Sequence, residues 1–184
     1  MKTKFTYLIV LLFTIHNFAQ TNSCTTIVND TFDQAGTLPN GWTEYNTSGR
    51  VTVEAGSLKF EHNTTRPSAY RTFEAVSNNA VFSFDVSSSR NSVNCQIHLV
   101  SSSGKYLSSI SIGVQTASIK YATSILNGVP SGFSDGDPLV SLTTNTVYSI
   151  SAQVNFDSKT VDFYADEVLM AANIPFIRDS YRYC

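Results

Sequence analysis

Hydrophobic and polar residues alternate along much of this 184-residue chain, in short segments that end at glycine, asparagine, serine or proline. Because successive side chains of a strand point to opposite faces, a period of two predicts strands with one buried face. No long segment shows helical periodicity. The predicted strands are 51–53, 58–60, 69–73, 80–86, 93–100, 106–112, 118–122, 147–156 and 160–165.

The segments between these strands contain the residues that favour turns. Ser101–Gly104 and Asn155–Lys159 are predicted hairpin turns, and Asn127–Pro138 is predicted to be a long loop. Eight or more short strands in one domain imply an all-β fold, a jelly-roll sandwich of two antiparallel sheets. Residues 20–184 are enough for one domain with its own core, and we expect a single domain.

The first 19 residues have the pattern of a secretory signal peptide. Lys2 and Lys4 precede an apolar run over 5–15, and Ala19 is the small residue before the expected cleavage site. The run is shorter than the roughly 20 residues that span a bilayer. We therefore expect a protein that is secreted, either extracellular or periplasmic, and that does not insert into a membrane.

Three cysteines in an exported chain predict one disulfide and one remaining thiol. Cys24 with Cys184 is the favoured pair, since it would join the two ends of the domain. Cys95 already has a place as a small apolar residue on the buried face of its strand. The other pairings remain open at this point, as does whether a final strand of the sandwich is missing from the C-terminus.

Charge is distributed unevenly along the chain. The net charge is −2, but the segment from Val86 to Ser134 contains no Asp or Glu and holds Arg90, His98, Lys105 and Lys120. Such a local excess of basic residues predicts an anionic ligand, although an acid-free segment also arises by chance. The mature chain is mildly acidic overall, which argues against a nucleic-acid partner.

Chemistry is expected on the polar face of strand 93–100. Asn94, Gln96 and His98 alternate with apolar residues there, and Lys120 lies on the non-core side of its own strand. Arg66 and Arg71 flank an extended segment and could clamp a carboxylate or sulfate group, or form ion pairs with Glu61 or Glu74. His16, His62 and His98 do not have the spacing of metal ligands, and no metal or other cofactor is expected.

Several motifs resemble known proteins. Asp30–Phe32, Leu38–Trp42, Gly56–Phe60 and Phe156–Tyr164 are similar to the concanavalin-like jelly rolls of secreted glycan-acting proteins. Arg66–Arg71 followed by Gln96–His98 resembles the arginine-rich and Gln-Ile-His strands of jelly-roll alginate lyases. The arginine spacing differs, and the late Tyr-Lys-Ala-Gly signature is absent. Over most of the mature chain the pattern is most similar to the short ulvan lyases of flavobacteria.

The resemblance implies an endolytic polysaccharide lyase that cleaves an anionic, uronate-containing and sulfated algal polysaccharide by β-elimination. It implies His98 or Lys120 as the base and a tyrosine as the acid; Tyr183 is chosen among Tyr70, Tyr106, Tyr164, Tyr181 and Tyr183. Arg66, Arg71, Asn94 and Gln96 are the expected substrate-binding residues. The alternatives are a non-catalytic carbohydrate-binding module and an adhesion or structural domain of the same fold. The expected partner is an anionic polysaccharide, bound by a monomer.

Overall fold

The computed structural model describes residues 25–44, 50–61, 67–76, 79–89, 95–113, 117–126, 129–133 and 139–177. More than half of these residues lie in strands and none in an α-helix, so the chain is all-β, as predicted. Within these ranges no helix is long and apolar enough to cross a bilayer. Contacts divide the chain into two compact units that meet in sequence between Phe73 and Glu74. The expectation of one domain over 20–184 stays a prediction.

In the first unit, the part of the chain that the structure describes forms two small antiparallel sheets. Its strands are β1 (Trp42–Glu44), β2 (Arg50–Glu54), β3 (Ser57–Glu61) and β4 (Ala69–Arg71). β1 pairs with β4, and β2 pairs with β3. The turn between β2 and β3 is only two residues long because Ala55 and Gly56 both adopt positive φ, 49° and 75°, as a tight hairpin requires.

The described residues of the second unit form nine strands in two larger sheets. They are β5 (Ala80–Val86), β6 (Cys95–Val100), β7 (Tyr106–Ile112), β8 (Ser118–Leu126), β9 (Val129–Phe133), β10 (Val140–Ser141), β11 (Tyr148–Asn155), β12 (Thr160–Ala165) and β13 (Val168–Pro175). One sheet has the order β10-β8-β7-β6, with β9 also paired to β8, and is called the five-stranded sheet. The other, the four-stranded sheet, has the order β13-β12-β11-β5. All the pairings are antiparallel.

The core of the second unit lies between these two sheets. Ile110, Ile112 and Ile119 from the five-stranded sheet and Ile150 and Phe163 from the four-stranded sheet are each at most 3% exposed and belong to one cluster. The ring of Tyr121 on β8 stacks on that of Phe163 on β12, with centroids 5.5 Å apart and planes 17° apart. The two sheets therefore pack face to face as a β-sandwich.

Local sequence explains the hairpins on either side of this core. The side-chain oxygen of Asn155 accepts hydrogen bonds from the backbone N–H groups of Asp157 and Ser158, 3.0 and 2.9 Å long, which closes the β11–β12 turn. In the β6–β7 turn Gly104 adopts a φ of 76°, and Ser101 N–H donates to the carbonyl of Lys105 over 2.8 Å. Both predicted hairpin turns are confirmed.

The prediction of a loop over 127–138 is wrong for part of that segment, because β9 pairs with β8 through Val129–Leu126 and Phe133–Ala122. Pro130 and Gly132 suggested a loop, yet proline is tolerated in a strand that has only one neighbour. Sequence patterning also missed β1, β10 and β13. β13 was missed because it is an edge strand with irregular register against β12 and therefore lacks alternation.

Candidate functional site

The candidate site is the side of the five-stranded sheet that faces away from the core. On β6, Cys95, Ile97 and Leu99 pack against the core, so the alternate residues Gln96 and His98 point to the opposite side. The same alternation places Ser109 and Ser111 of β7 and Lys120 of β8 on that side, since Ile110, Ile112, Ile119 and Tyr121 pack against the core. We call Gln96, His98, Ser109, Ser111 and Lys120 the polar face.

Three residues of the polar face form a row across adjacent strands. Gln96 pairs with Ser111 in the β6–β7 register, and Ser111 pairs with Lys120 in the β7–β8 register. Side chains that lie directly opposite in antiparallel strands have Cβ atoms about 5 Å apart. A small hydroxyl therefore lies between an amide and an ammonium group, all of which can donate hydrogen bonds.

The next row along the strands contains His98. Its register partner is Ser109, and Nδ1 of His98 lies 2.9 Å from Oγ of Ser109, a hydrogen-bond distance. Ser109 is only 1% exposed. Burial lowers the pKa of His98 from its ordinary 6.5, because the charged imidazolium loses hydration. The lowered pKa favours the neutral imidazole at pH 7, and the hydrogen bond with Ser109 engages Nδ1.

A tyrosine lies against the imidazole. The rings of Tyr106 and His98 meet edge to face, with centroids 5.0 Å apart. Tyr106 reaches this position because a register shift after Leu99 places it opposite Val100 at the start of β7. Tyr106 was one of five tyrosines that the sequence left as possible acids, and the contact with His98 distinguishes it.

Small residues form the floor of the polar face. Ser109, Ser111, Ser118 and Ala122 are each at most 3% exposed. Ala122 lies on the same side of β8 as Lys120, two positions along the strand. The longer side chains of Gln96, His98 and Lys120 are only half-buried and stand around this floor. The face thus combines a recessed hydroxyl layer with a rim of longer polar groups.

The two sheets of the sandwich carry opposite charge. The described strands of the five-stranded sheet contain no Asp or Glu. Lys120 lies on β8, and Lys105 lies in the β6–β7 hairpin. On the four-stranded sheet Asp85 accepts a 2.6 Å hydrogen bond from the hydroxyl of Ser149, and Asp162 accepts one of 2.6 Å from the backbone N–H of Asn173. The acid-free segment of the sequence therefore supplies β6, β7, β8 and β9, whose described residues include no carboxylate side chain.

Arg71, a predicted substrate-binding residue, lies in the first unit. Its guanidinium forms an ion pair with Asp30, and the indole N–H of Trp42 donates to the same carboxylate over 2.8 Å. Arg71 and Asp30 are 23% and 14% exposed. The predicted alternative of an ion pair with Glu61 or Glu74 was thus wrong about the partner, and the Arg71 charge is balanced by Asp30.

No protein-family model, curated protein or solved structure matches this chain.

The polar face therefore unites three of the seven predicted site residues: Gln96, His98 and Lys120. Arg66, Asn94 and Tyr183 lie outside the described residues, as do Cys24, Cys184 and the predicted signal peptide. Cys95, the one cysteine among the described residues, forms no disulfide within them; its thiol packs against the core, and burial raises its pKa. The Cys24–Cys184 disulfide stays a prediction.

Sequence reasoning missed Ser109, Ser111 and the pairing of Tyr106 with His98. The alternation in Ser108–Ile112 carried a signal for the two serines, because every second residue shares a face with Gln96 and His98 once β7 pairs with β6. The contact of Tyr106 with His98 could not be predicted from alternation, since it depends on a register shift.

A cavity of about 250 Å³, lined by residues that include Tyr121, Ile174 and Phe176, is a separate feature on the core side of β8.

Within the described ranges no cluster of three or more His, Cys, Asp or Glu is arranged to hold a metal ion.

Proposed function

We propose that the second unit binds an anionic, uronate-containing polysaccharide on the polar face and cleaves it by β-elimination, as an endolytic polysaccharide lyase. The observation that carries the proposal is the edge-to-face contact of His98 and Tyr106 beside the Gln96–Ser111–Lys120 row. A neutral base and a phenol are adjacent there, and donors for an anion lie one row away. This combination is what β-elimination from a uronate requires.

His98 is the base in this proposal. It removes the proton from C5 of the uronate, and the electron pair moves onto the carboxyl group as an enolate-like charge. Burial supports this role because it keeps the imidazole unprotonated at neutral pH. The hydrogen bond to Ser109 holds the ring by Nδ1 and leaves Nε2 for the substrate.

Lys120 and Gln96 stabilise the charge that develops on the carboxyl group. Donors fixed before the reaction act most strongly where no carboxylate competes with the substrate. The five-stranded sheet meets this condition over its described residues.

Tyr106 donates a proton to O4 as the C4–O4 bond breaks. The products are then a 4,5-unsaturated uronate end and a new free hydroxyl end, with the C5 proton left on His98. Tyr106 takes the place of Tyr183 in this proposal because its ring contacts the proposed base.

The jelly-roll arrangement, the ulvan-like sulfated substrate and export from the cell belong to the same proposal. The pairing of β5 with β11, which are separated by five strands in the chain, supports a jelly-roll because it is a long-range pairing within the four-stranded sheet.

Absorbance near 235 nm tests the proposal, since the unsaturated product absorbs there. The full chain is incubated with ulvan, alginate and glucuronan, and an increase on at least one polymer is expected. His98→Ala and Lys120→Ala should each lower the rate by about a hundredfold or more, and Tyr106→Phe by a similar factor. Lys159→Asn removes a positive charge from the β11–β12 turn, where φ is already 56°, and should leave the rate unchanged.

The absence of any absorbance increase on all three polymers, with the folded protein, would refute the lyase proposal. Retention of the protein by these polymers without an increase would instead indicate a non-catalytic carbohydrate-binding module.

A further inference from the structure

Ser111 is the most unusual group on the polar face. Ser111 is 0% exposed, and among the residues that the structure describes its hydroxyl oxygen has no hydrogen-bond partner. A buried polar group without a partner costs about 1–3 kcal/mol. Ser109, two residues earlier on the same side of β7, has His98 as its partner. The Ser111 hydroxyl can therefore donate a hydrogen bond to a ligand, whereas the Ser109 hydroxyl is already engaged with His98.

The neighbours of Ser111 indicate the chemistry of that ligand. Gln96 and Lys120 are its register partners on the two flanking strands. An ammonium group, an amide N–H and a hydroxyl can all donate to one acceptor, and no acidic residue lies on the described strands of this sheet to compete for them. Three donors in neighbouring register positions, one of them positively charged, fit an oxyanion better than a neutral hydroxyl.

We propose that Ser111 is a specificity-determining residue of an oxyanion subsite formed by Gln96, Ser111 and Lys120. The subsite holds the carboxylate or sulfate group of one sugar, and the Ser111 hydroxyl donates to it. This inference rests on the proposed function, because it takes the polar face as the place where the polysaccharide binds. Gln96 and Lys120 are half-buried side chains with rotatable stems, and binding of the anion at the buried hydroxyl requires side chains around it to move.

Ser111→Ala tests the proposal through two readouts. It removes the unsatisfied hydroxyl and leaves a side chain of nearly the same size, so the melting temperature should be unchanged or higher. Oxyanion binding should weaken by about tenfold or more, since a hydrogen bond to a charged group is lost. A structural serine would give the reverse result, a lower melting temperature with unchanged binding. Ser108→Ala is the matched control, because Ser108 is buried on the core side of the same strand and should not affect binding.

Binding is measured by affinity electrophoresis of the full chain in the His98→Ala background, so that cleavage does not consume the polymer. The gels contain glucuronan, which has carboxylate and no sulfate, a sulfated galactan without uronate, or neutral dextran. Loss of retardation by Ser111→Ala on glucuronan assigns the subsite to carboxylate, and loss on the sulfated galactan alone assigns it to sulfate. The proposal would be overturned if His98→Ala and its Ser111→Ala derivative were retarded equally by both anionic polymers. It would also be overturned if neither polymer retarded His98→Ala.

The two proposals fail separately. If the wild-type protein releases no unsaturated product while Ser111→Ala still weakens binding, the lyase mechanism is refuted and the oxyanion subsite stands. If product forms and Ser111→Ala binds as tightly as its parent, the subsite is refuted and the lyase mechanism stands.

Discussion

The stacking of Tyr121 on Phe163 allows a quantitative test of the sandwich that presents the polar face. Tyr121 belongs to the five-stranded sheet and Phe163, only 1% exposed, to the four-stranded sheet. Replacing either ring by leucine removes buried carbon atoms and should lower the free energy of unfolding by about 1–2 kcal/mol. Aromatic pairs contribute about 0.5–1.5 kcal/mol beyond their buried area. The double variant should therefore be less destabilised than the sum of the single variants by that amount.

Urea unfolding of the full chain, followed by circular dichroism, measures this coupling energy in a double-mutant cycle of Tyr121→Leu and Phe163→Leu. Val81→Ala, on the exposed side of β5, should be additive with Phe163→Leu within about 0.5 kcal/mol. If the Tyr121 and Phe163 effects are equally additive, the rings do not touch and the two sheets are not packed as described. The orientation of Lys120 would then lose its basis, since Lys120 faces outward because Tyr121 faces the core.

Three further predictions concern single residues. Burial lowers the pKa of His98 from 6.5, so the unfolded chain takes up this proton at a higher pH than the folded chain, and stability falls as pH drops below about 6.5. His98→Gln should weaken this pH dependence of the melting temperature between pH 8 and pH 5. Identical slopes of melting temperature against pH for the two proteins would contradict the prediction. Burial raises the pKa of Cys95, so its thiol should react with iodoacetamide far more slowly in the folded protein than in urea, and equal rates would show an exposed thiol. Gly132→Ala should lower stability by about 1–2 kcal/mol, because φ is +58° and the added Cβ would clash with Oγ of Ser124. An unchanged melting temperature would refute this account of the β8–β9 pairing.

Strands with strict alternation were predictable from the sequence. The predicted bounds are those of β5, β7 and β12. Burial alternates along β5 and β12, whereas β7 is buried on both faces and was bounded by the turn residues that flank it. β9 and β13 were not predictable. Hydrogen bonds to β8 stabilise β9, although its own Pro130 and Gly132 favour a loop. β13 pairs with β12 in an irregular register, so its mostly apolar residues show no alternation.

For the candidate site, the sequence by itself determined which side of each strand a residue occupies. Gln96, His98 and Lys120 were placed on polar faces because side chains alternate with a period of two, whatever the neighbouring strand is. Only the tertiary structure decided which residues lie opposite them. The β6–β7–β8 register placed Ser111 between Gln96 and Lys120, and a register shift brought Tyr106 against His98. The physical reason is that alternation is a local property of one strand, whereas register depends on hydrogen bonds and core packing between strands.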